Sequence, residues 1–595
     1  MKYIDEKFKD EQPEITVDKI IEKLCGIGIC VEEEWFDSKV NNCFSLRVTA
    51  NGRIPGTNGK GVSKAFARAS AYGEFMERLV SGLFFYKYQS FDNDESVLLH
   101  SYAPDKRYMT KSELLENSRW MEPITKKYGV TKEHIADLCV IYACSDKVLT
   151  LPYYSLFEDR YEYLPVHLIE HIYSSNGCCV GNTMAEAWIH ALSEIFERNS
   201  NIEIISSGKA VPVISREKLN GFNTVNAILN KIEAEGIFDV DILDFSCGKE
   251  YPVIATRIIN KKTKEYVVKV GADPVFEIAV ERTLTEIFQG RNLEMFTKNH
   301  GGKILNSFDE INVSHNIINQ LETGRGLFTA EFFADSEEDN KDIFFIENRD
   351  KTNAELLKWV IEKFEEKNLP IYVRNNSFLG FHCYKFIVPG YSEARADFYT
   401  ETIPTFYFGD RASKTLRNIK KANIVELSEL LMYHKMLWSF MSRKNNFAYL
   451  SGLPIANLDF GLASIHFAYA ALKTQNYKLF DSYIDSAAKF TVNDNDKDYL
   501  LAVKQWIEFK NNGVEKKTAL SVIEKFYFAD TFKRLTKNIE NDALLDEFLV
   551  ECNMDCANCK YKDECCYESI REMMAKAGAE YAKFTDGQKK ENFTY

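Results

Sequence analysis

Two stretches of the chain share a pattern that limits what it can fold into. Asn58 to Arg78 reads NGKGVSKAFARASAYGEFMER, and Asn176 to Arg198 reads NGCCVGNTMAEAWIHALSEIFER. Each begins Asn-Gly and ends Glu-x-x-Glu-Arg, and a third stretch, ERTLTEIFQGR from Glu281 to Arg291, echoes the ending. At about 100° per residue, a helix over the second copy places Glu186, His190, Glu194, Glu197 and Arg198 within an arc of about 120°. Trp188, Ile189, Leu192, Ile195 and Phe196 fill the opposite arc. On the first copy Ser70, Glu74, Glu77 and Arg78 share a face, and on the third Arg282, Glu286 and Gln289 do. The ordinary reading is three solvated helix faces with Glu/Arg pairs worth about 0.2–0.5 kcal/mol each. Carboxylates nevertheless outnumber arginines on the first two stripes, and like charges one turn apart repel by similar amounts.

Gathered by three helices, Glu74, Glu77, Glu186, Glu194, Glu197 and Glu286 need a cation among them. Hard oxygen ligands select Mg²⁺, which keeps positions open for water and phosphate. Arg78, Arg198 and Arg282 suit phosphate oxygens because a guanidinium is a planar fork. The combination predicts a metal–triphosphate site. It is not a standard phosphate loop: Gly59-Lys60 is followed by Gly61 where Ser or Thr is required, and Ile54 stands where the pattern opens with Gly. No dinucleotide or kinase signature is present either. The glycines of the repeat are expected to shape the turn into each helix. Thr183 and Glu186 also match a capping box, which gives Glu186 a purely structural alternative.

A chain of 595 residues, 45% hydrophobic and 13% aromatic, is too long for one core. Val17, Ile20, Ile21 and Leu24 stand at helical spacing, FSLRVTA from Phe44 reads as a strand, and 62–83 reads as a helix. Residues 140–152 read as strand, as do VDILDF, PVIATRIIN, EYVVKVGA, PIYVRN and HCYKFIVPG, with a helix over 276–289 among them. After about residue 415 only helical periodicity remains, at 423–442, 459–473, 477–489 and 497–510. The expected fold is α+β, with internally repeated helix/strand halves over 1–415 and an all-α, helical-hairpin (tetratricopeptide-like) domain over 416–550. A Cys-rich tail, 551–595, follows.

The net charge of −14 disfavours general nucleic-acid binding. No run approaches the about 18 uninterrupted apolar residues of a membrane span, and MKYIDEKFKDEQ has no apolar core of a signal peptide. A soluble cytoplasmic protein is expected. Nine of the 14 cysteines are scattered, with Cys25, Cys30, Cys139 and Cys383 expected as small buried hydrophobes. Five crowd near the end. Cys552, Cys556, Cys559 and Cys565 have spacing that suits a structural Zn²⁺ or an Fe–S cluster, with free thiols as the alternative, and Cys566 adjoins them.

The motifs Asn58-Gly-Lys-Gly, Ser70-x3-Glu74-x2-Glu77-Arg78, Gly181-Asn182-Thr183 with Glu186, Glu194, Glu197 and Arg198, and Arg282-x3-Glu286 with Gln289-Gly290-Arg291 resemble the ATP-binding motifs of the YcaO family. The match is closest to the full-length bacterial type, the accessory factor for β-methylthiolation of a small-subunit ribosomal protein. It implies ATP and Mg²⁺ as cofactors, with Glu74, Glu77, Glu186, Glu197 and Glu286 as metal ligands. It implies nucleotide contacts from Lys9, Thr16, Ser70, Arg78, Asn182, Glu194, Arg198 and Arg282. Cys179 and His190 stand at two further nucleotide positions, where the family pattern has Ser and Gln. Relatives activate a backbone amide oxygen by phosphorylation, so the resemblance implies a peptide or ribosomal-protein substrate, a methylthiotransferase partner and a homodimer. Thioamide synthesis or cyclodehydration is the alternative chemistry, and a non-catalytic nucleotide-binding scaffold the alternative class. The ending QKKENFTY lacks the proline-rich tail of ring-forming members, which the resemblance reads against azoline formation.

Overall fold

The structure, a computed structural model, describes residues 9–36, 43–50, 55–85, 98–143, 145–246, 250–287, 303–334, 348–399, 411–438, 460–491, 493–553 and 555–595. Gln289, Gly290 and Arg291 lie outside the described residues. The chain forms two compact units. One comprises Met1–Tyr86, Glu95–Glu401 and Glu572–Tyr595, and the other Lys87–Asp94 and Thr402–Arg571.

In the first unit three sheets are built from β1 (Val31–Phe36), β2 (Phe44–Ala50), β3 (Gly56–Gly61), β4 (Arg107–Met109), β5 (Val148–Ser155), β6 (Arg160–Pro165), β7 (Cys178–Gly181), β8 (Phe238–Asp244), β9 (Val253–Asn260), β10 (Tyr266–Ala272), β11 (Tyr372–Asn375) and β12 (His382–Ile387). The first sheet runs β1-β2-β3 and another β10-β9-β8. A six-stranded sheet is ordered β4-β5-β11-β12-β7, with β6 also on β5; its β4 to β7 lie between the other two sheets in sequence and its β11 and β12 follow them. Every pairing is antiparallel. The helices are α1 (Pro13–Gly26), α2 (Lys64–Val80), α3 (Lys111–Glu116), α4 (Glu122–Tyr128), α5 (Lys132–Ala143), α6 (Val166–Ile172), α7 (Met184–Ser207), α8 (Asn223–Ala234) and α9 (Phe276–Ile287), then Val313–Thr323 and Asn353–Glu366.

One arrangement repeats three times. Each sheet ends in an edge strand that turns directly into a charged helix: β3 into α2, β7 into α7 and β10 into α9. Each helix packs on the strand that leads into it and also on the leading strand of the next, α2 on β3 and β7, α7 on β7 and β10, α9 on β10 and β3. This closed cycle is what brings three distant stretches of sequence together. The glycines make the packing close. A Cβ on Gly59 would meet the Ala67 carbonyl, one on Gly61 would lie 2.6 Å from the Ala67 nitrogen, and one on Gly181 2.6 Å from the Ala187 nitrogen. None of these three has positive φ. They serve strand-on-helix contact more than the turn itself.

The apolar arc read from the α7 sequence is inside. Trp188, Leu192 and Ile195 are fully buried, and Trp188 meets Tyr384 and Phe386 of β12 edge-on at 5.7 and 5.1 Å. Phe196 stacks on Tyr251 at 4.4 Å. Each such burial stabilises by about 1.5–3 kcal/mol. The helix ends at Gly208, whose φ of 65° is the left-handed cap that favours glycine. The last residues close on the same unit: Phe593 stacks on Tyr154 and Gln588 bonds both backbone groups of Asn375.

Two expectations are corrected. Residues 140–143 are helical, because Ile135, Ala136, Leu138, Cys139 and Tyr142 form the buried stripe of α5, and the strand begins only at Val148. Cys25 is exposed, since Val17, Ile20 and Leu24 take the buried face of α1, and Cys30 is exposed in the connection to β1; Cys139 and Cys383 are buried as expected. The described residues of the second unit are helical. Phe460–Lys473, Tyr477–Phe490 and Asp494–Asn511 pack in sequence, followed by Lys516–Phe526 and Ala529–Glu540, around Phe467, Phe480, Tyr499 and Leu500. Ile424–Trp438 packs on the first of them.

Candidate functional site

Three strand-to-helix turns hold the site, each capped by a side chain. Ser63 accepts from the Phe66 amide at 3.2 Å, Thr183 from the Glu186 amide at 3.2 Å, and Asp273 from the Val275 amide at 3.0 Å. The capping fixes where each helix starts and so fixes which residues form its charged stripe.

The stripes meet. On α2, Arg78 reaches Glu74 at 3.2 Å and Glu77 at 3.5 Å; on α7, Arg198 reaches Glu194 at 3.3 Å and donates to the Leu321 carbonyl at 3.0 Å. The environment of Glu77 includes Glu194 across the gap as well as Glu74, and that of Glu197 includes Arg282, Arg198, Glu194 and Lys60. Lys60 is ion-paired with Glu286 of α9, and Lys269 lies 3.7 Å from the same carboxylate. Glu74, Glu77, Glu194, Glu197 and Glu286 therefore share one pocket with Arg78, Arg198, Arg282 and Lys60. Ser70 stands one turn before Glu74 on the same helix, half-buried.

Glu186 belongs to an adjoining network that the N-terminal segment completes. Its carboxylate pairs with Lys9 at 3.2 Å, accepts from the Asp10 amide at 3.2 Å and from the Asn182 side-chain amide at 3.1 Å. Thr16 in turn donates to Asn182 at 2.8 Å. Only the Thr183 half of the capping box forms, since the Glu186 carboxylate is engaged with Lys9, Asp10 and Asn182. His190 joins the two networks, with Arg282, Lys9, Lys60 and Arg78 around it. Burial first, and those cations second, hold its imidazole well below the ordinary value, so it is neutral and presents one donor and one acceptor nitrogen. Cys179 is placed differently. Its thiol is buried in the core and donates to the Tyr384 carbonyl at 3.6 Å, with burial raising it well above the usual thiol range.

The pocket is short of partners for the charges it buries. Burial pushes Glu77 up to about 8 against the pull of Arg78, and it raises Glu197 as well. The Nε groups of Arg198 and Arg282 are buried with no hydrogen-bond partner. Carboxylates that resist ionisation and guanidinium donors without acceptors fit a site for a divalent cation with a bound anion. Three lysines belong to this environment that the sequence reading did not weigh. Lys60 and Lys269 act on Glu286, and Lys385 lowers Glu77 while donating to the Ser174 and Asn176 carbonyls at 2.6 and 2.8 Å. Lys269 in YVVKVGA and Lys385 in HCYKFI are buried lysines inside apolar strands, an anomaly visible in the sequence.

In the second unit, Cys552, Cys556, Cys559 and Cys565 are free thiols close enough to perturb one another. Among the described residues, no group of three or more His, Cys, Asp or Glu stands at metal-holding geometry. Among them too, no helix is long and apolar enough to cross a membrane.

Residues 58–392 match the family model described as YcaO cyclodehydratase, ATP- and Mg²⁺-binding. The chain belongs to the YcaO family. It is 28% identical over 396 residues to the ribosomal protein S12 methylthiotransferase accessory factor YcaO of Escherichia coli strain K12, covering 65% of this chain and 66% of that one. It is 32% identical over 295 residues to an uncharacterized protein of Haemophilus influenzae, covering 48% and 49%. The matched stretches thus span just under two thirds and about half of these relatives. Among solved structures, it is similar to a heterocyclase in complex with substrate and cofactor (TM-score 0.43, 17% identity, 64% of this chain and 53% of that one). It is also similar to YcaO from Methanopyrus kandleri bound with AMPPCP and Mg²⁺ (TM-score 0.41, 18% identity, 66% and 94%).

The raised Glu77 makes its own contribution to how the protein responds to pH. Its carboxyl keeps its proton in the folded state up to about 8 and releases it near 4.5 when unfolded. The unfolded state therefore binds fewer protons between those values, and stability falls as pH rises through that window. Urea unfolding in the presence of a chelator checks this as a difference: the stability of wild type relative to Glu77→Gln is expected to fall as pH rises through the window, since the lowered His100 and His171 act in the opposite sense equally in both proteins.

Proposed function

We propose that the chain is a Mg-ATP-binding, ATP-hydrolysing protein that potentiates β-methylthiolation of a small-subunit ribosomal protein. The observation that carries the nucleotide reading is the cluster of carboxylates from three helices together with the buried, unpartnered Nε groups of Arg198 and Arg282. The particular substrate follows the E. coli relative, whose name states that role for ribosomal protein S12. In this reading Glu74, Glu77, Glu186, Glu197 and Glu286 supply carboxylates to Mg²⁺. When bound, the ion supplies charge neutralisation at the phosphates. Arg78, Arg198 and Arg282 hold phosphate oxygens and stabilise charge that develops during phosphoryl transfer. Glu194 orients Arg198. Lys9, Thr16 and Asn182 line the nucleotide together with Ser70 and neutral His190. Cys179 contributes backbone only, its thiol being turned into the core.

Phosphate release from Mg-ATP is expected to rise when ribosomal protein S12 and its methylthiotransferase are added to the purified protein. Stimulation by a short peptide instead, with a thioamide or azoline product, would assign the family's backbone-amide chemistry to this chain. Nucleotide binding with no hydrolysis under any of these conditions would make the protein a scaffold. Glu197→Gln is expected to weaken Mg-ATP binding at least about tenfold, or about 1.4 kcal/mol. Wild-type affinity in that variant would remove Glu197 from the metal.

The cysteine loop is read, from its spacing, as a structural tetrathiolate metal site. The Tyr561 amide donates to the Cys559 sulfur at 3.5 Å and the Tyr567 backbone bonds Cys565, while burial pushes the Cys565 thiol up to about 11 and raises Cys556, so a bound cation would be needed to hold them as thiolates. Metal analysis of protein purified without chelator is expected to find about one metal equivalent per chain, zinc or iron–sulfur being told apart by visible absorbance. Loss of that metal in Cys556→Ser would fix its position, and its absence from the wild type would leave four plain thiols.

A further inference from the structure

The three carboxylate stripes are already partly neutralised without any metal, and one residue does so from the middle. Lys60 leaves β3 between Gly59 and Gly61, whose missing side chains let the strand press on α2. Strand alternation sends the Lys60 side chain to the opposite face, where α9 packs, and its ammonium pairs with Glu286. Its charged surroundings come from all three helices: Glu74 of α2, Glu197 and Arg198 of α7, and Arg282 of α9. Lys269 lies 3.7 Å from the same carboxylate, on the strand that leads into α9.

We propose that Lys60 is the resident counter-ion of the acidic pocket, competing with the divalent cation for Glu286 and, once displaced, pairing with nucleotide phosphate. This inference rests on the Mg-ATP reading above. Lys60 and Lys269 already crowd Glu286, so a divalent cation drawn to the same carboxylate is repelled by the paired ammonium. An ion entering alone must therefore turn Lys60 out with no new partner for it. An ion entering with a triphosphate gives the ammonium an anion to meet. Lys60 thus makes metal and nucleotide bind cooperatively, and by linkage each strengthens the other by the same factor. A lysine that merely braced α9 against β3 would lower stability on removal without tightening metal binding.

The test is titration of Mn²⁺, a paramagnetic substitute for Mg²⁺, into the full chain, followed by electron paramagnetic resonance. Wild type, Lys60→Met and Lys60→Arg are compared with and without a non-hydrolysable ATP analogue. Lys60→Met is expected to bind Mn²⁺ alone about tenfold more tightly than wild type and to lose about tenfold of the tightening that the analogue brings. Lys60→Arg keeps the wild-type pattern. Unchanged or weaker Mn²⁺ binding in a folded Lys60→Met overturns the proposal while leaving the wild-type site intact. Wild type that binds Mn²⁺ neither alone nor with the analogue overturns the Mg-ATP reading itself, and the proposal with it. Should Lys60→Met fail to fold, Glu286→Gln decides: releasing the ammonium is expected to raise metal-free affinity for the analogue about tenfold, and an unchanged or lower affinity overturns the proposal.

Discussion

Repulsion between clustered, partly buried carboxylates is the constraint on which the rest of this structure depends. Two like charges about 4 Å apart cost about 4 kcal/mol at an effective dielectric of about 20. Glu74, Glu77, Glu194, Glu197 and Glu286 share one pocket, so α2, α7 and α9 can converge only with cations interleaved or with some carboxylates protonated. Both occur. Arg78, Arg198 and Lys60 pair with the glutamates, and Glu77 and Glu197 are shifted toward their neutral forms. The compromise leaves the Nε groups of Arg198 and Arg282 unmatched. A pocket balanced in this way is suited to exchanging its internal ion pairs for an external cation and anion.

The scaffold explains how such a cost is sustained. Each charged helix is anchored by its own leading strand and by the next one in the cycle, and its other face is buried in core, aromatic under α7, where Trp188 meets β12 and Phe196 meets Tyr251, and mainly aliphatic under α9. Gly59, Gly61 and Gly181 let strand and helix backbones approach to a distance that any side chain would prevent. The N-terminal segment then closes one side of the pocket by delivering Lys9 and Thr16 to Glu186 and Asn182. Local hydrogen bonds position the stripes, and the cyclic packing forces them to face one another.

Much of this was legible in the sequence because helical periodicity and charge are local. The apolar arc of α7, the Glu-x-x-Glu-Arg endings and the third echo at Glu281 are each read within a few turns, and they converge as expected. The N-terminal reach of Lys9 and Thr16 followed from family resemblance, since nothing local links them to Asn182. What escaped were effects of tertiary packing. Lys60, Lys269 and Lys385 are on strands, where a sequence gives no hint of which helix their ammonium groups will meet. Residues 140–143 looked like the start of a strand because an apolar run is compatible with either periodicity, and burial of Ile135, Leu138 and Cys139 decided for helix. Cys25 and Cys30 were misplaced because a small apolar residue at a helix end, or in the short connection after it, carries no signal of facing. The third strand–helix unit was visible only as an echo, because β10 and Asp273 replace the Asn-Gly opening of the other two.

The most direct measure of the central claim is the metal dependence of nucleotide affinity in the unmodified protein. If a divalent cation neutralises the carboxylates so that the triphosphate can enter, calorimetric titration with ATP in excess Mg²⁺ should give an affinity at least about a hundredfold tighter than in chelator, about 2.7 kcal/mol. Equal affinity with and without Mg²⁺ would contradict it, and would mean that the arginines and lysines bind the nucleotide while the glutamates serve only to hold them.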